Sequence, residues 1–190
     1  MKYRYLPTEI TIGDKIYPIN KNGDYEIILD IFEVMKDKEL TEQEKTFVCL
    51  NIFYDFNLPQ TMDELNIAVS EMLKFINCGE VETKKENNKP RLMDWNIDFP
   101  WLAAPINRVL GYDIRSKKYV HWWTFVSAYM EIGECTFQTI VGIRNKKLKG
   151  QKLEKGEQEF YRENKDKINA VNGMNDEDNE TLKNYLDEEW

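Results

Sequence analysis

The sequence predicts a mainly α protein, a compact helical domain opened by an N-terminal β-hairpin. Three observations carry that expectation. Apolar residues recur at i, i+3 and i+4 along several long stretches, the period of a helix with one buried face. Two capping boxes, Thr41 with Glu44 and Thr61 with Glu64, each stand just before such a stretch. Near the N-terminus the period changes to two, in Glu9-Ile10-Thr11-Ile12 and Lys15-Ile16-Tyr17-Pro18-Ile19, and Gly13-Asp14 between them suits a tight turn.

Pro18 marks the second strand as an edge at that point, because proline has no N–H to give a ladder. The first helix follows a turn at residues 20–24 and carries Ile27, Ile28, Ile31, Phe32 and Met35 on one face, with Glu26, Asp30 and Glu33 opposite. The second, opened by Thr41, is apolar on most sides from Phe47 to Phe53 and reads as central; Asn57-Leu58-Pro59 ends it. The third, opened by Thr61, has the stripe Met62, Leu65, Val69, Met72, Leu73 and Ile76, with Gly79 placed to cap its C-terminus. Residues 80–89 have almost no apolar content and read as a solvated loop joining two halves of one domain.

Beyond the loop, Pro100 and Pro105 each suit a place in or just before the first turn of a helix. That helix has Trp101, Leu102, Ile106, Val109 and Leu110 inward and Gly111 at its end. From Tyr119 to Ile132 a further helix is apolar nearly all round, with His121, Thr124, Ala128 and Glu131 as its narrow small or polar stripe. A helix of that kind is buried, and Trp122, Trp123, Phe125 and Tyr129 are expected in the core. After Gly133, Thr136 is placed to cap a helix that turns Phe137, Ile140, Val141 and Leu148 inward. A last helix near Leu153 to Lys167 lays Phe160 and Tyr161 against the body. The domain therefore spans residues 1–168, and residues 169–190 form an acidic tail with too little apolar surface to order itself.

Composition narrows the classes of function. Aromatics at 13% and hydrophobics at 42% of 190 residues supply a real core and exclude wholesale disorder. A net charge of −8 keeps the chain soluble and disfavours nucleic acid or an anionic membrane as partner. No apolar run reaches the roughly 20 residues of a membrane span, and the N-terminus lacks the apolar core of a secretory signal. Cys49, Cys78 and Cys135 are odd in number and form no CxxC pair, so they read as reduced thiols in a cytoplasm.

No catalytic, cofactor or metal site emerges. One histidine, His121, cannot build a multi-histidine metal site, and it reads as a hydrogen-bonded group at a helix start rather than a catalytic base. Glu131 and Glu134 beside Cys135 flank a turn between helices, and no phosphate-loop, dinucleotide or zincin motif is present. The cations Arg144, Lys146, Lys147, Lys149, Lys152 and Lys155 do form a cluster in an acidic chain. They complement a helix C-terminus, contact an acidic partner or sister subunit, or meet nucleic acid phosphates, although no aromatics are interleaved as a stacking platform. Arg144, Lys146, Lys147, Lys149 and Lys152, together with the terminal Trp190, are the candidate partner-binding residues.

Two blocks of sequence add a resemblance. Asp94 to Ser116 (DWNIDFPWLAAPINRVLGYDIRS) and Tyr119 to Asp166, with its HWWTF, YMEIG and IRNKK strings, resemble the "gene product fifteen" family of siphophages infecting Gram-positive bacteria. The resemblance implies a gene placed just before the tape-measure gene, where tail assembly chaperones are encoded, and offers no catalytic motif. It implies the tape-measure protein as partner, with the tail-tube protein, a sister chaperone and a second copy as further ones, in the cytoplasm of the infected or lysogenic host and outside the mature virion. Met72, Met93 and Met130 would suit a groove that accepts varied ligands. The competing implication is a virion component such as a head–tail or tail-tube adaptor.

Overall fold

The computed structural model describes residues 5–80 and 91–171. The chain is mainly α, with seven α-helices among the described residues and one N-terminal antiparallel hairpin. Two compact units account for it: Met1–Lys85 with Tyr112–Met130, and Glu86–Gly111 with Glu131–Trp190. Residues 112–130 thus return to the first unit. Among the described residues no helix is long and apolar enough to cross a membrane.

In the first unit, β1 (Glu9–Ile12) pairs with β2 (Lys15–Pro18), Ile10 opposite Tyr17 and Ile12 opposite Lys15. Ile10, Ile12 and Tyr17 are buried and Glu9 and Thr11 face out, as alternation requires. Helix α1 (Tyr25–Lys36) is capped by Asp24, whose carboxylate accepts from the Glu26 N–H at 2.9 Å. The capping boxes read from the sequence differ in completeness. At α2 (Glu42–Tyr54) the Thr41 hydroxyl and Glu44 carboxylate bond each other's backbone N–H; at α3 (Met62–Ile76) Thr61 accepts from the Glu64 N–H, and its hydroxyl bonds the Glu64 carboxylate. Ile27, Ile28, Ile31, Leu50, Phe53, Met72 and Phe75 fill the core between these helices.

The end of α3 is closed at Cys78 and Gly79, the glycine standing where the sequence places it. Both take positive φ, Cys78 at 54° and Gly79 at 90°. The Cys78 N–H bonds the Phe75 carbonyl at 3.0 Å and the Gly79 N–H bonds the Lys74 carbonyl at 2.7 Å, the two bonds of a Schellman end. Glycine is needed also at Gly23 (φ 77°), where an added Cβ would sit 2.6 Å from the Phe75 ring. Gly23→Ala is therefore expected to lose more than about 1 kcal/mol of unfolding free energy in urea titration. A loss smaller than that would mean the ring moves aside freely.

Helix α5 (Trp122–Met130) completes this unit and is shorter than the expected 119–132. Trp122, Phe125 and Ala128 are buried, whereas Trp123 and Tyr129 are half-buried and Met130 is 74% exposed. The small or polar stripe is corrected in part: His121 and Ala128 are inside, because small and hydrogen-bonded groups fit where the helix approaches its neighbours most closely.

In the second unit α4 (Trp95–Leu110) begins under an Asp94 cap and contains both Pro100 and Pro105. Neither proline sits in the first turn as expected; the Asp94 side chain, accepting from the Asn96 and Ile97 N–H groups, sets the start instead. Helix α6 (Thr136–Leu148) is preceded by Cys135 at the cap position, so Thr136 is its first residue rather than its cap. Its inward face is Phe137, Ile140, Ile143 and Arg144, with Val141 and Leu148 only half-buried. Helix α7 (Lys155–Asn169) opens with a capping box between Glu154 and Glu157 and packs Phe160 and Tyr161 on the Ile140, Ile143, Ile168 cluster. Asn169 and Val171 are buried, so the body extends past the expected boundary at Ile168. The loop expected at residues 80–90 falls, apart from Glu80, outside the described residues, as does the acidic tail from residue 172, with Trp190.

Candidate partner-binding surface

The cationic cluster is largely consumed inside the second unit. Arg144 is fully buried and is not a surface residue. Its guanidinium makes a two-pronged pair with Asp98 of α4, Nη1 to Oδ2 at 2.7 Å and Nη2 to Oδ1 at 2.9 Å. The other three N–H donors reach the carbonyls of Ile168 (2.8 Å), Leu92 (3.1 Å) and Lys167 (3.1 Å). All five donors are used, a geometry only arginine offers. Asp98 also accepts from the Asp94 N–H at 2.9 Å. Arg144 thus ties α6 to α4 and to the last carbonyls of α7.

Lys146 bonds both Glu157 oxygens, at 2.7 and 2.8 Å, with Glu154 3.6 Å away. The Glu157 carboxylate raises the Lys146 pKa, and its own is lowered in return. Lys147 lies over the Tyr161 ring, 3.9 Å from its centre, and bonds the Tyr161 hydroxyl. Lys149, Lys152 and Lys155 remain exposed on the α6–α7 connection and the first turn of α7. The structure therefore divides the expected partner-binding set: Lys149 and Lys152 are accessible, Arg144 is internal, and Lys146 and Lys147 pair with acidic and aromatic neighbours. A phosphate-binding stripe over residues 144–155 loses its arginine and much of its net charge by this pairing.

The adjacent aromatic residues at 121–123 have a structural task in the first unit. The Trp122 indole N–H donates to the Ile76 carbonyl at 2.8 Å and that of Trp123 to the Phe75 carbonyl at 2.9 Å. Trp122 thus supplies a donor to the Ile76 carbonyl at the end of α3, and Trp123 adds a second donor to the Phe75 carbonyl, which the Cys78 N–H already bonds. His121 stands at the start of α5, as expected: its Nδ1 accepts from the Trp123 N–H at 3.0 Å, so Nε2 carries the proton and donates to the Pro7 carbonyl at 3.0 Å. Beside it, Asp24 accepts from the Val120 N–H at 2.8 Å, and the Trp122 N–H reaches the Gly23 carbonyl at 2.8 Å. These bonds join segments almost a hundred residues apart, which no local sequence pattern announces.

Burial lowers the His121 pKa below its ordinary value, opposed by the Pro7 carbonyl and the Asp24 charge. The unfolded chain then takes up this proton first as pH falls. Stability from His121 is complete above about pH 6.5 and declines as pH drops from there towards the folded-state pKa. His121→Asn keeps a helix-capping acceptor without a titrating ring. Urea titrations at pH 7.5 and 5.5 should show a smaller stability loss in that variant than in the parent; equal losses would refute the assignment.

Burial raises the Cys49 thiol pKa, and burial with the nearby Glu80 raises that of Cys78, the opposite of what an activated thiolate needs. Among the described residues no three His, Cys, Asp or Glu side chains gather as a metal site.

An open cleft of about 420 Å³ lies in the first unit. It is walled by Glu9, Ile10 and Thr11 of β1 and by Glu71, Lys74 and Phe75 of α3, with Trp123 of α5. Lys74 bonds both Glu71 oxygens at 2.8 and 2.9 Å. Glu9 has no ion-pair partner among the described residues. Sequence periodicity marks none of this, since the cleft forms where a strand edge meets a helix end.

Comparison with known proteins returned no matching curated protein and no matching solved structure. The family described as "Bacteriophage Gp15 protein" matches residues 4–169, a span that takes in the hairpin and all seven helices. The chain belongs to the bacteriophage Gp15 protein family.

Proposed function

We propose that this phage protein is a tail assembly chaperone-like protein, which binds and shields the tape-measure protein during tail morphogenesis and acts by binding rather than catalysis. The observation that carries this reading is family membership across residues 4–169, taken with the gene position beside the tape-measure gene that the sequence resemblance implies. A tape-measure protein is long, helical and rich in apolar stretches, and such stretches need cover before assembly. Phe47, Phe56 and Met62, on α2, its C-terminal turn and the first residue of α3, are 61%, 79% and 72% exposed. Apolar side chains left out along this run offer contacts to an amphipathic helix of a partner in the helix-in-groove manner. The binding-only reading is supported by His121, whose two ring nitrogens are both engaged, and by the raised thiol pKa values of Cys49 and Cys78.

In this reading the protein works in the host cytoplasm and leaves before the virion matures. Coexpression with the neighbouring tape-measure protein should keep that protein in the supernatant, and mass spectrometry of purified virions should find this chain absent or far below ring-like copy number. Stoichiometric presence in virions would replace the chaperone reading with a head–tail or tail-tube adaptor.

A further inference from the structure

We propose that the outer edge of β1 is a strand-addition site, which takes an extended peptide segment of a partner alternating apolar and basic side chains. The hairpin register carries the first step. The Ile19 N–H bonds the Thr8 carbonyl at 2.9 Å, so Thr8 and Ile19 are a hydrogen-bonded pair. In an antiparallel ladder bonded and non-bonded pairs alternate. Ile10 with Tyr17 and Ile12 with Lys15 are then bonded, whereas Glu9 with Pro18 and Thr11 with Ile16 are not. Pro18 agrees with this, since it occupies a position that gives β1 no N–H. The N–H and C=O groups of Glu9 and Thr11 therefore point away from β2, into the cleft, and no described residue bonds them.

The two edges of the hairpin differ. On β2 the outward position at residue 18 is proline, which blunts that edge against pairing. On β1 both outward positions keep their donors, at the i, i+2 spacing an added strand needs. The cleft of about 420 Å³ runs beside this edge, with Glu71, Lys74 and Phe75 of α3 on its far wall.

Side-chain chemistry names the occupant. Neighbours on adjacent strands share a face of the sheet. On the inner face the added strand meets Ile10, Phe75 and Trp123, so those positions are apolar. On the outer face it lies beside Glu9, which has no ion-pair partner among the described residues, so basic side chains fit there. A second copy of this chain would bring another Glu9 to the same face and cannot insert a folded hairpin between β1 and α3. This inference does not rest on the chaperone reading, because the free edge exists whatever the partner does.

The test uses the full chain, isotope-labelled, with an end-capped hexapeptide of alternating valine and lysine as probe. In the free protein the amides of Ile10 and Ile12 should resist hydrogen exchange, while those of Glu9 and Thr11 exchange fast. The probe should bind saturably and protect Glu9 and Thr11. Of two probes N-methylated on alternate residues, the one blocked on the edge facing β1 should lose binding. Thr11→Pro, which removes an outward N–H and no bond to β2, should weaken binding about fivefold to tenfold with an unchanged melt. Glu9→Lys should reverse preference towards a valine–glutamate probe. Absence of saturable binding, equal binding of both N-methylated probes, or binding that leaves the Glu9 and Thr11 amides unprotected overturns the proposal. A peptide-free dimer that Thr11→Pro converts to monomer would give the edge to a second copy and also overturns it.

Discussion

Arg144→Met is expected to cost about 3–5 kcal/mol of unfolding free energy, the loss that follows when one partner of a buried ion pair is removed. Asp98, fully buried, would be left without its counter-ion, and the carbonyls of Leu92, Lys167 and Ile168 would lose their donors. Arg144→Lys should recover little, because a single ammonium cannot span five positions fixed by a planar fork. A double variant, Arg144→Met with Asp98→Leu, should be less damaged than Arg144→Met alone, since it removes the orphaned carboxyl group. Recovery should stop short of the parent, because the carbonyls stay unpaired. Urea titration of the parent, Arg144→Met, Asp98→Leu and the double variant gives the coupling directly. A loss under about 1 kcal/mol in Arg144→Met would mean that the pair holds nothing together.

Trp122→Ala is expected to destabilise the first unit by a similar amount, about 3–5 kcal/mol. The indole is buried, lies 5.6 Å from the Phe125 ring in a stacked arrangement, and meets the edge of Phe32 at 5.9 Å. Truncation opens a cavity among these rings and strips the Ile76 carbonyl of its donor. Trp123→Ala should cost less, because that indole is half-buried and already borders the open cleft. Thermal melts of the two variants decide it. A Trp122→Ala protein that melts like the parent would show the side chain to be a partner contact and not a core group.

Elements with local causes were legible in the sequence. The hairpin turn at Gly13-Asp14, the caps at Thr41 and Thr61, and the inward stripe of α1 each depend on residues within a turn or two of one another. What escaped depends on distance along the chain. Arg144 counted as one more cation beside four lysines because its partner, Asp98, stands 46 residues earlier. His121 fell on a polar stripe because its second bond runs to Pro7, 114 residues away. Pro105 pointed to a helix start, yet the Asp94 cap had already set one upstream. At the end of α3 Gly79 takes the positive φ its position suggests, but Cys78 before it does too, which no glycine rule marks. The cleft beside β1 needs the register of the strands and the end of α3 together, and neither is a property of composition.

The bonds that join Asp24 to Val120 and Gly23 to Trp122 also set an order for synthesis. A ribosome that has finished the first 85 residues has delivered the hairpin and α1–α3, yet none of the chain that supplies Trp122 and Phe125. Until residue 130 emerges, the last carbonyls of α3 lack their indole donors and the ring of Tyr25 lacks Phe125, which stacks on it at 4.9 Å. At about 5–20 residues per second that wait lasts roughly 2–9 s. For those seconds the nascent chain shows apolar surface that the finished protein hides, and a message truncated after codon 85 would yield a fragment prone to aggregate.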